Sequence, residues 1–173
     1  MNTLKLVRFV FRIIRALFRA SGVGKIRLGN SLLYLPIRKK LYQFIWKFSA
    51  PYPDKPLLVG GHKIYGIGPN RGCANGMGLL MDSYEEDSTH LFKELIQQGM
   101  AVIDIGAHVG YYTLLAARGV GPSGRVYAFE PQRDNFRWLK KNIEINGYLN
   151  VTTVAKAVTD MTGFLKLWLT TSS

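Results

Sequence analysis

Two glycines and two acids between residues 101 and 131 have the types and spacing of a ligand-binding turn. Asp104 lies in an apolar run, Gly106 and Gly110 follow it, and Glu130 closes a second apolar run, 24 residues after Gly106. A glycine at a strand-to-helix turn lets the backbone approach a ligand closely, and the free amides of the helix start face that ligand. The two oxygens of Glu130 can accept both hydroxyls of a ribose. The stretch therefore predicts a site for a ribose-containing cofactor.

The elements that must position these residues follow from the order of apolar runs and turns. Residues 101–105 and 125–129 predict buried strands, and residues 111–118 between them predict a helix. A strand, a helix and a strand in this order form a parallel unit. Upstream, residues 83–99 predict a helix, and residues 57–59 and 63–65 predict a small hairpin around two glycines.

The details of the turn favour S-adenosyl-L-methionine over NAD. The dinucleotide fingerprint Gly-x-Gly-x-x-Gly is absent, because His108 stands where its second glycine would be. A pyrophosphate gains from a cluster of amides, whereas S-adenosylmethionine is cationic and gains from a nearby carboxylate such as Asp104. A third strand, expected over residues 151–158, would bring Ala157 and Val158 near the adenine ring.

Three blocks of sequence resemble the FkbM methyltransferase family. They are residues 102–113, 126–131 and 142–146, followed by residues 150–151 and 157–160 and by Gly163, and together they span roughly residues 84–169. The resemblance implies a class I methyltransferase fold, Rossmann-like α/β, and methyl transfer from S-adenosylmethionine to oxygen on sugars, glycolipids or polyketides. One departure is His108, where the family usually shows Asn.

The predicted cofactor site has several members whose roles stay open. Asp104 is either ligand-facing or structural, Glu130 is either a ribose ligand or an exposed strand-end acid, and His108 is a loop residue beside the cofactor or a base. Tyr111 packs or caps a pocket. No residue can be given the role of general base, and no metal is expected. The expected cofactor-binding residues are Asp104, Gly106, Ala107, His108, Gly110, Tyr111, Glu130, Pro131, Ala157 and Val158.

The predicted sheet is shorter than the resemblance implies. The class I sheet has seven strands in the order 3-2-1-4-5-7-6, but only the first three are expected here, plus residues 164–169 turning back as a hairpin across residues 160–163. The fold would be truncated after its third strand, and the first strand would have an open edge. The chain is therefore a fragment, the product of a truncated reading frame, or a half that needs a partner chain.

The N-terminal 50 residues carry most of the net charge of +12. They contain 11 Lys or Arg and no acid, whereas residues 51–173 are near neutral. Five bases fall on one predicted helix face with bulky apolar residues around the others, the pattern of a helix lying on an anionic membrane. Docking of these apolar faces on the domain, or a mitochondrial presequence, would fit the same pattern. The five bases on the predicted helix face are Lys5, Arg8, Arg12, Arg15 and Arg19.

The sequence divides into three segments: a basic helical arm over residues 1–50, a Gly/Pro-rich connector with the hairpin over 51–82, and the N-terminal half of a methyltransferase domain over 83–173. The leading hypothesis is an FkbM-type methyltransferase with a small-molecule or glycan acceptor. The alternative is a catalytically incomplete cofactor-binding fragment attached to a membrane surface. No nucleic acid is expected as a partner, and the expected location is the cytoplasm, free or at the membrane surface.

Overall fold

The structure is a computed structural model that describes residues 56–67 and 84–168, together with the single helical residues Phe9 and Leu79. Its elements are β1 (Leu57–Val59), β2 (His62–Ile64), α1 (Glu86–Leu95), β3 (Ala101–Ile105), α2 (Tyr111–Val120), β4 (Arg125–Phe129), α3 (Arg133–Ile145) and β5 (Val151–Val154). The predicted basic arm lies outside the described residues except for Phe9, whose side chain is exposed. No helix of the described part is long and apolar enough to cross a membrane.

The larger sheet has three parallel strands in the order β3-β4-β5. The bounds of β3 and β4 are those predicted, α2 runs two residues further than predicted, and α1 occupies the middle of its predicted range. This parallel sheet with crossover helices is the predicted class I, Rossmann-like arrangement. β3 forms one edge of the described sheet, as expected.

Two predictions about the C-terminal part are wrong. The third strand was expected over residues 151–158, but β5 ends at Val154, which pairs with Phe129 at the end of β4. Among the described residues the ladder ends at Phe129, so residues 155–158 have no described strand to pair with. Residues 164–168 form no strand and their side chains are exposed, so the expected hairpin is absent.

One face of the sheet is buried under the helices and the other is open. Val126 and Ala128 of β4 are fully buried, and Val126 shares a cluster with the α2 residues Ala116 and Val120. Strand side chains alternate between the two faces, so Ile103 and Ile105 of β3 face the other way and are more than half exposed. The buried face of the sheet packs on α2 and α3.

The hairpin of β1 and β2 belongs to the same core as the sheet. Gly60 and Gly61 have positive φ values of 56° and 80°, which a tight two-residue hairpin turn requires. The buried side chains of Leu57, Val59 and Ile64 join a cluster that also contains residues of α2 and α3. The hairpin therefore packs on the domain.

Two asparagines one helical turn apart bind the hairpin to α3. Asn142 accepts from the Tyr65 backbone N–H at 2.7 Å and donates to the Tyr65 carbonyl at 3.1 Å. Asn146 makes the same pair of bonds to the backbone of Lys63, at 2.9 and 2.7 Å. Because side chains four residues apart lie on one helix face, α3 can pair with alternate residues along the edge of β2.

Candidate cofactor site

The turn after β3 is fastened to the end of β4 by its own amides. Gly106 and Ala107 both donate their backbone N–H to the Phe129 carbonyl, each at 2.9 Å. Gly106 has φ of +80°, in the left-handed region that favours glycine, and a Cβ placed on it would meet no atom within 4 Å. The backbone therefore presents an open side at the carboxyl end of the sheet, where ligands of parallel α/β folds bind.

Glu130 is held at this same end of the sheet. Its side chain is only 5% exposed, so the interpretation as an exposed strand-end acid is wrong. One carboxylate oxygen accepts the His108 amide at 2.8 Å and the other accepts the Gln132 amide at 2.9 Å. A carboxylate has about four acceptor positions, so the two bonds leave capacity for two ligand hydroxyls. The amides fix the carboxylate in place before any ligand arrives.

His108 occupies a left-handed backbone conformation, with φ of +53°. Asn is among the few residues other than glycine that adopt this region readily, which gives a physical reason for the family's usual Asn at this position. Burial lowers the pKa of His108, and the negative charge of Glu130 opposes that shift. The imidazole is therefore neutral near pH 7 and adds no positive charge beside a cationic cofactor. The backbone of His108, through its bond to Glu130, links the two strand ends.

Asp104 combines the two roles that the sequence left open. Its carboxylate accepts the Thr113 hydroxyl at 2.5 Å, and it also lines a cavity beside β3. Burial raises the pKa of Asp104, the side-chain hydrogen bond from Thr113 lowers it, and the charge of Glu130 raises it again. The residue is thus both a structural partner of α2 and a wall of a space large enough for a ligand group.

That cavity, about 320 Å³ in volume, lies between α1 and the open edge of β3. Tyr112 donates its hydroxyl to Glu85 at 2.9 Å, and burial raises the pKa of Tyr112, so the hydroxyl keeps its proton. Two carboxylates and an aromatic wall give the cavity the chemistry of a site for a cationic group. The remaining wall residues are Ser88, Phe92, Val102, Ile103 and Ile105.

Glu85 and Tyr112 are not among the site residues that the sequence predicts. Tyr112 lies in the motif block, but only its neighbour Tyr111 belongs to the predicted site. Tyr111 is buried and packs edge-on against Tyr84 and Tyr112. The prediction that it packs or caps a pocket agrees with this position, whereas Glu85 has no sequence signal because only tertiary packing places it near β3.

Gly110 begins α2 and closes the turn. It has φ of +97°, and a Cβ at this position would lie 2.7 Å from Cδ1 of Leu139. Asn142 donates to the Val109 carbonyl at 2.7 Å, so the residue that is hydrogen-bonded to the hairpin is also hydrogen-bonded to the turn. The close approach of α3 is therefore what requires glycine here.

The structure brings most of the predicted site residues together. Asp104 and the residues from Gly106 to Gly110 lie at the end of β3 and in its turn, and Glu130 stands beside them, with its amide bonded to the Val154 carbonyl at 3.0 Å. Pro131 is exposed directly after Glu130. Ala157 and Val158 are exposed beyond the end of β5, so their contact with the adenine ring stays a prediction. In the described ranges, no group of three His, Cys, Asp or Glu is arranged to hold a metal ion.

Comparison with known proteins agrees with this geometry. Residues 104–170 match the model of the methyltransferase FkbM domain, which confirms the predicted resemblance over that stretch. A protein-L-isoaspartate O-methyltransferase of Aeropyrum pernix is 41% identical over 103 residues, covering 60% of this chain and 34% of the relative. A ribosomal RNA large subunit methyltransferase E of Nitratidesulfovibrio vulgaris is 35% identical over 74 residues, covering 36% of each.

Among solved structures, a SAM-dependent O-methyltransferase of Thermotoga maritima is 29% identical with a TM-score of 0.39, covering 42% of this chain and 28% of that one. The chain spans about a third of the length of the two curated relatives described above. The family match begins at Asp104, so it includes the glycine turn, α2, β4, α3 and β5.

Proposed function

We propose that this chain is the cofactor-binding part of an FkbM-type, S-adenosylmethionine-dependent methyltransferase. The main support is the carboxylate of Glu130, which is buried and held by two backbone amides. It lies near the turn at Gly106, where no atom lies within 4 Å of the position of a Cβ. The match of residues 104–170 to the FkbM methyltransferase domain supports it independently. On this proposal the acceptor is a hydroxyl of a sugar, a glycolipid or a polyketide-like molecule.

The described residues fit S-adenosylmethionine part by part. Glu130 would hold the ribose hydroxyls with its remaining acceptor capacity, and the turn at Gly106 would let the cofactor approach the backbone. Asp104 and Glu85 would face its cationic methionine end from the cavity. When bound, the cofactor supplies a methyl group on a positively charged sulfur. Neutral His108 leaves the surrounding charge negative, which suits a cation.

The contribution of the protein to such a transfer is mainly alignment. Methyl transfer is an in-line displacement, so holding donor and acceptor in one geometry supplies much of the rate. The bonds that fasten the turn to Phe129 and Glu130 keep the donor side rigid. A hydroxyl acceptor also needs a group to take its proton, and no described residue is assigned that task.

The proposed acceptor follows from the FkbM domain match. The curated relatives are named for isoaspartate in proteins and for ribosomal RNA, whereas the FkbM domain match favours small hydroxyl acceptors. Under either acceptor the donor site would be the same, because the described residues form only the cofactor side.

A matched pair of glycine variants tests the proposed site by calorimetry with S-adenosylhomocysteine. Gly106→Val puts a branched side chain on the ligand-facing turn, and Gly147→Val imposes a similar left-handed strain at the end of α3, where a Cβ also meets no atom within 4 Å. We expect Gly106→Val to abolish binding and Gly147→Val to keep it. Equal affinity in the two variants would place the ligand elsewhere.

We also propose that residues 1–50 attach the protein to an anionic membrane surface. The support is the excess of 11 bases over no acids in this segment, beside a near-neutral remainder. Each base near an anionic surface is worth about 1 kcal/mol. Without turnover, the same chain would act as a membrane-attached cofactor-binding fragment, which is the alternative function.

A further inference from the structure

The surroundings of Asp104 act against its negative charge. Burial and the carboxylate of Glu130, directly after β4, both favour its neutral form. His108 in the adjoining turn and Tyr112 on α2 are themselves partly buried, and Glu85 beside α1 adds a second carboxylate to the same cavity. If Asp104 were protonated, it would lose the charge that a cationic ligand needs. Something must therefore stabilise its charged form.

The stabilising group is Thr113, in the first turn of α2. Its hydroxyl donates to Oδ2 of Asp104 at 2.5 Å, and this hydrogen bond lowers the pKa of Asp104 against the effect of burial. The N-cap of α2, Gly110, has no side chain with which to cap the helix. Asp104 on β3 is thus joined to the first turn of α2 through the Thr113 side chain.

The alternative partner of the Thr113 hydroxyl is already engaged. A threonine inside a helix commonly bonds the carbonyl four residues earlier, here that of Val109. That carbonyl accepts Asn142 at 2.7 Å. Thr113 is 0% exposed, so water does not compete for the hydroxyl. The packing of α3 on the turn therefore favours donation to Asp104 over a bond within the helix.

We propose that Thr113 is a positioning residue of the donor site, which holds the Asp104 carboxylate charged and aimed at the cavity between α1 and β3. The chemical class recognised there is a cationic group, such as the methionine end of the cofactor. This inference rests on the proposed function for the identity of the ligand, but the hold of Thr113 on Asp104 does not depend on it.

The test compares Thr113→Val, which keeps the shape and removes the hydroxyl, with Thr113→Ser, which keeps the hydroxyl. Carbon-13 NMR of the aspartate carboxyls in the full chain without ligand gives the titration midpoint of Asp104. We expect the midpoint to rise by about one pH unit in Thr113→Val and to return to the wild-type value in Thr113→Ser. If Thr113→Val does not fold, Thr113→Ala replaces it. An unchanged midpoint overturns the inference.

The second measurement is the affinity for S-adenosylmethionine against pH. The loss of affinity on acidification should begin at higher pH in Thr113→Val, with binding about threefold weaker between the two midpoints and about tenfold weaker below both. In an Asp104→Asn background, Thr113→Val should change the affinity no further. If the Asp104 midpoint shifts but the protein binds neither S-adenosylmethionine nor S-adenosylhomocysteine, the proposed function is refuted and the role of Thr113 stands. Binding with identical pH profiles would refute the role of Thr113 alone.

Discussion

The buried His62 predicts a large loss of stability in mild acid. His62 on β2 is 1% exposed, and its Nε2 lies 2.7 Å from the Tyr148 hydroxyl. Burial, with the positive charges of Arg118 and Lys93, lowers the pKa of His62 to about 4 from an ordinary 6.5. Between these two pH values the unfolded chain binds a proton that the folded chain excludes, so the stability falls as the pH drops through this window.

The size of the effect follows from the same two values. A difference of roughly 2.5 pH units at about 1.4 kcal/mol each removes about 3.5 kcal/mol of the free energy of unfolding in full, of which about 3 kcal/mol is lost by pH 4. A single domain has only about 5–15 kcal/mol in total, so the loss is a large fraction. Protonation of His62 acts on the packing of the hairpin against the domain, because His62 contacts Tyr148 there.

Urea denaturation followed by circular dichroism at about pH 7, 5.5 and 4 measures the effect. His62→Gln keeps a neutral group that can reach Tyr148, and His90→Gln is the control at an exposed histidine beside Glu94. Wild type and His90→Gln should lose about 3 kcal/mol more than His62→Gln between pH 7 and 4. Parallel pH profiles in wild type and His62→Gln would refute the reasoning.

Three further predictions concern the turn, the hairpin and the arm. Gly110→Ala should lower the free energy of unfolding by about 2–3 kcal/mol, because its Cβ would meet buried Leu139 and its positive φ is strained for alanine. The control Gly147→Ala should lower it by about 1 kcal/mol, from backbone strain alone. Denaturant titration compares the two variants. Asn142→Ala removes three backbone partners and should cost about 3 kcal/mol in the same assay, and a loss below about 1 kcal/mol would contradict it. Deletion of residues 1–20, which removes five of the 11 bases, should weaken salt-sensitive sedimentation with anionic vesicles, and full retention would contradict the membrane proposal.

The central strands could be predicted to the residue because their signals are local. Apolar runs bounded by glycines mark β3 and β4, and the helix between them begins at Tyr111, directly after Gly110. The end of β5 could not be predicted in this way. The sequence pattern predicts that the strand runs on through residues 155–158. β5 nevertheless ends at Val154, because its partner β4 ends at Phe129 and a strand extends only as far as its partner.

The contacts that set the site are long-range and carry no local signal. Asn142 and Asn146 belong to a motif block in the sequence. Their partners, Tyr65 just after β2 and Lys63 on β2, lie about 80 residues earlier in the chain. The burial of Glu130 depends on amides from two separate turns, and the role of Thr113 depends on which carbonyl Asn142 occupies. Residue types and spacing indicated where a cofactor would bind, while the packing of α3 determines how the turn is held.

The most direct test of the cofactor assignment is calorimetry of the full chain with S-adenosylhomocysteine and with NAD. We predict that S-adenosylhomocysteine binds more tightly than NAD. Glu130→Ala should weaken that binding by about 1–3 kcal/mol, and Glu144→Ala, at an exposed acid of α3, should leave it unchanged. Melting curves of both variants establish that each is folded at the temperature used. Equal or reversed affinities for the two ligands would contradict the assignment of this site to S-adenosylmethionine.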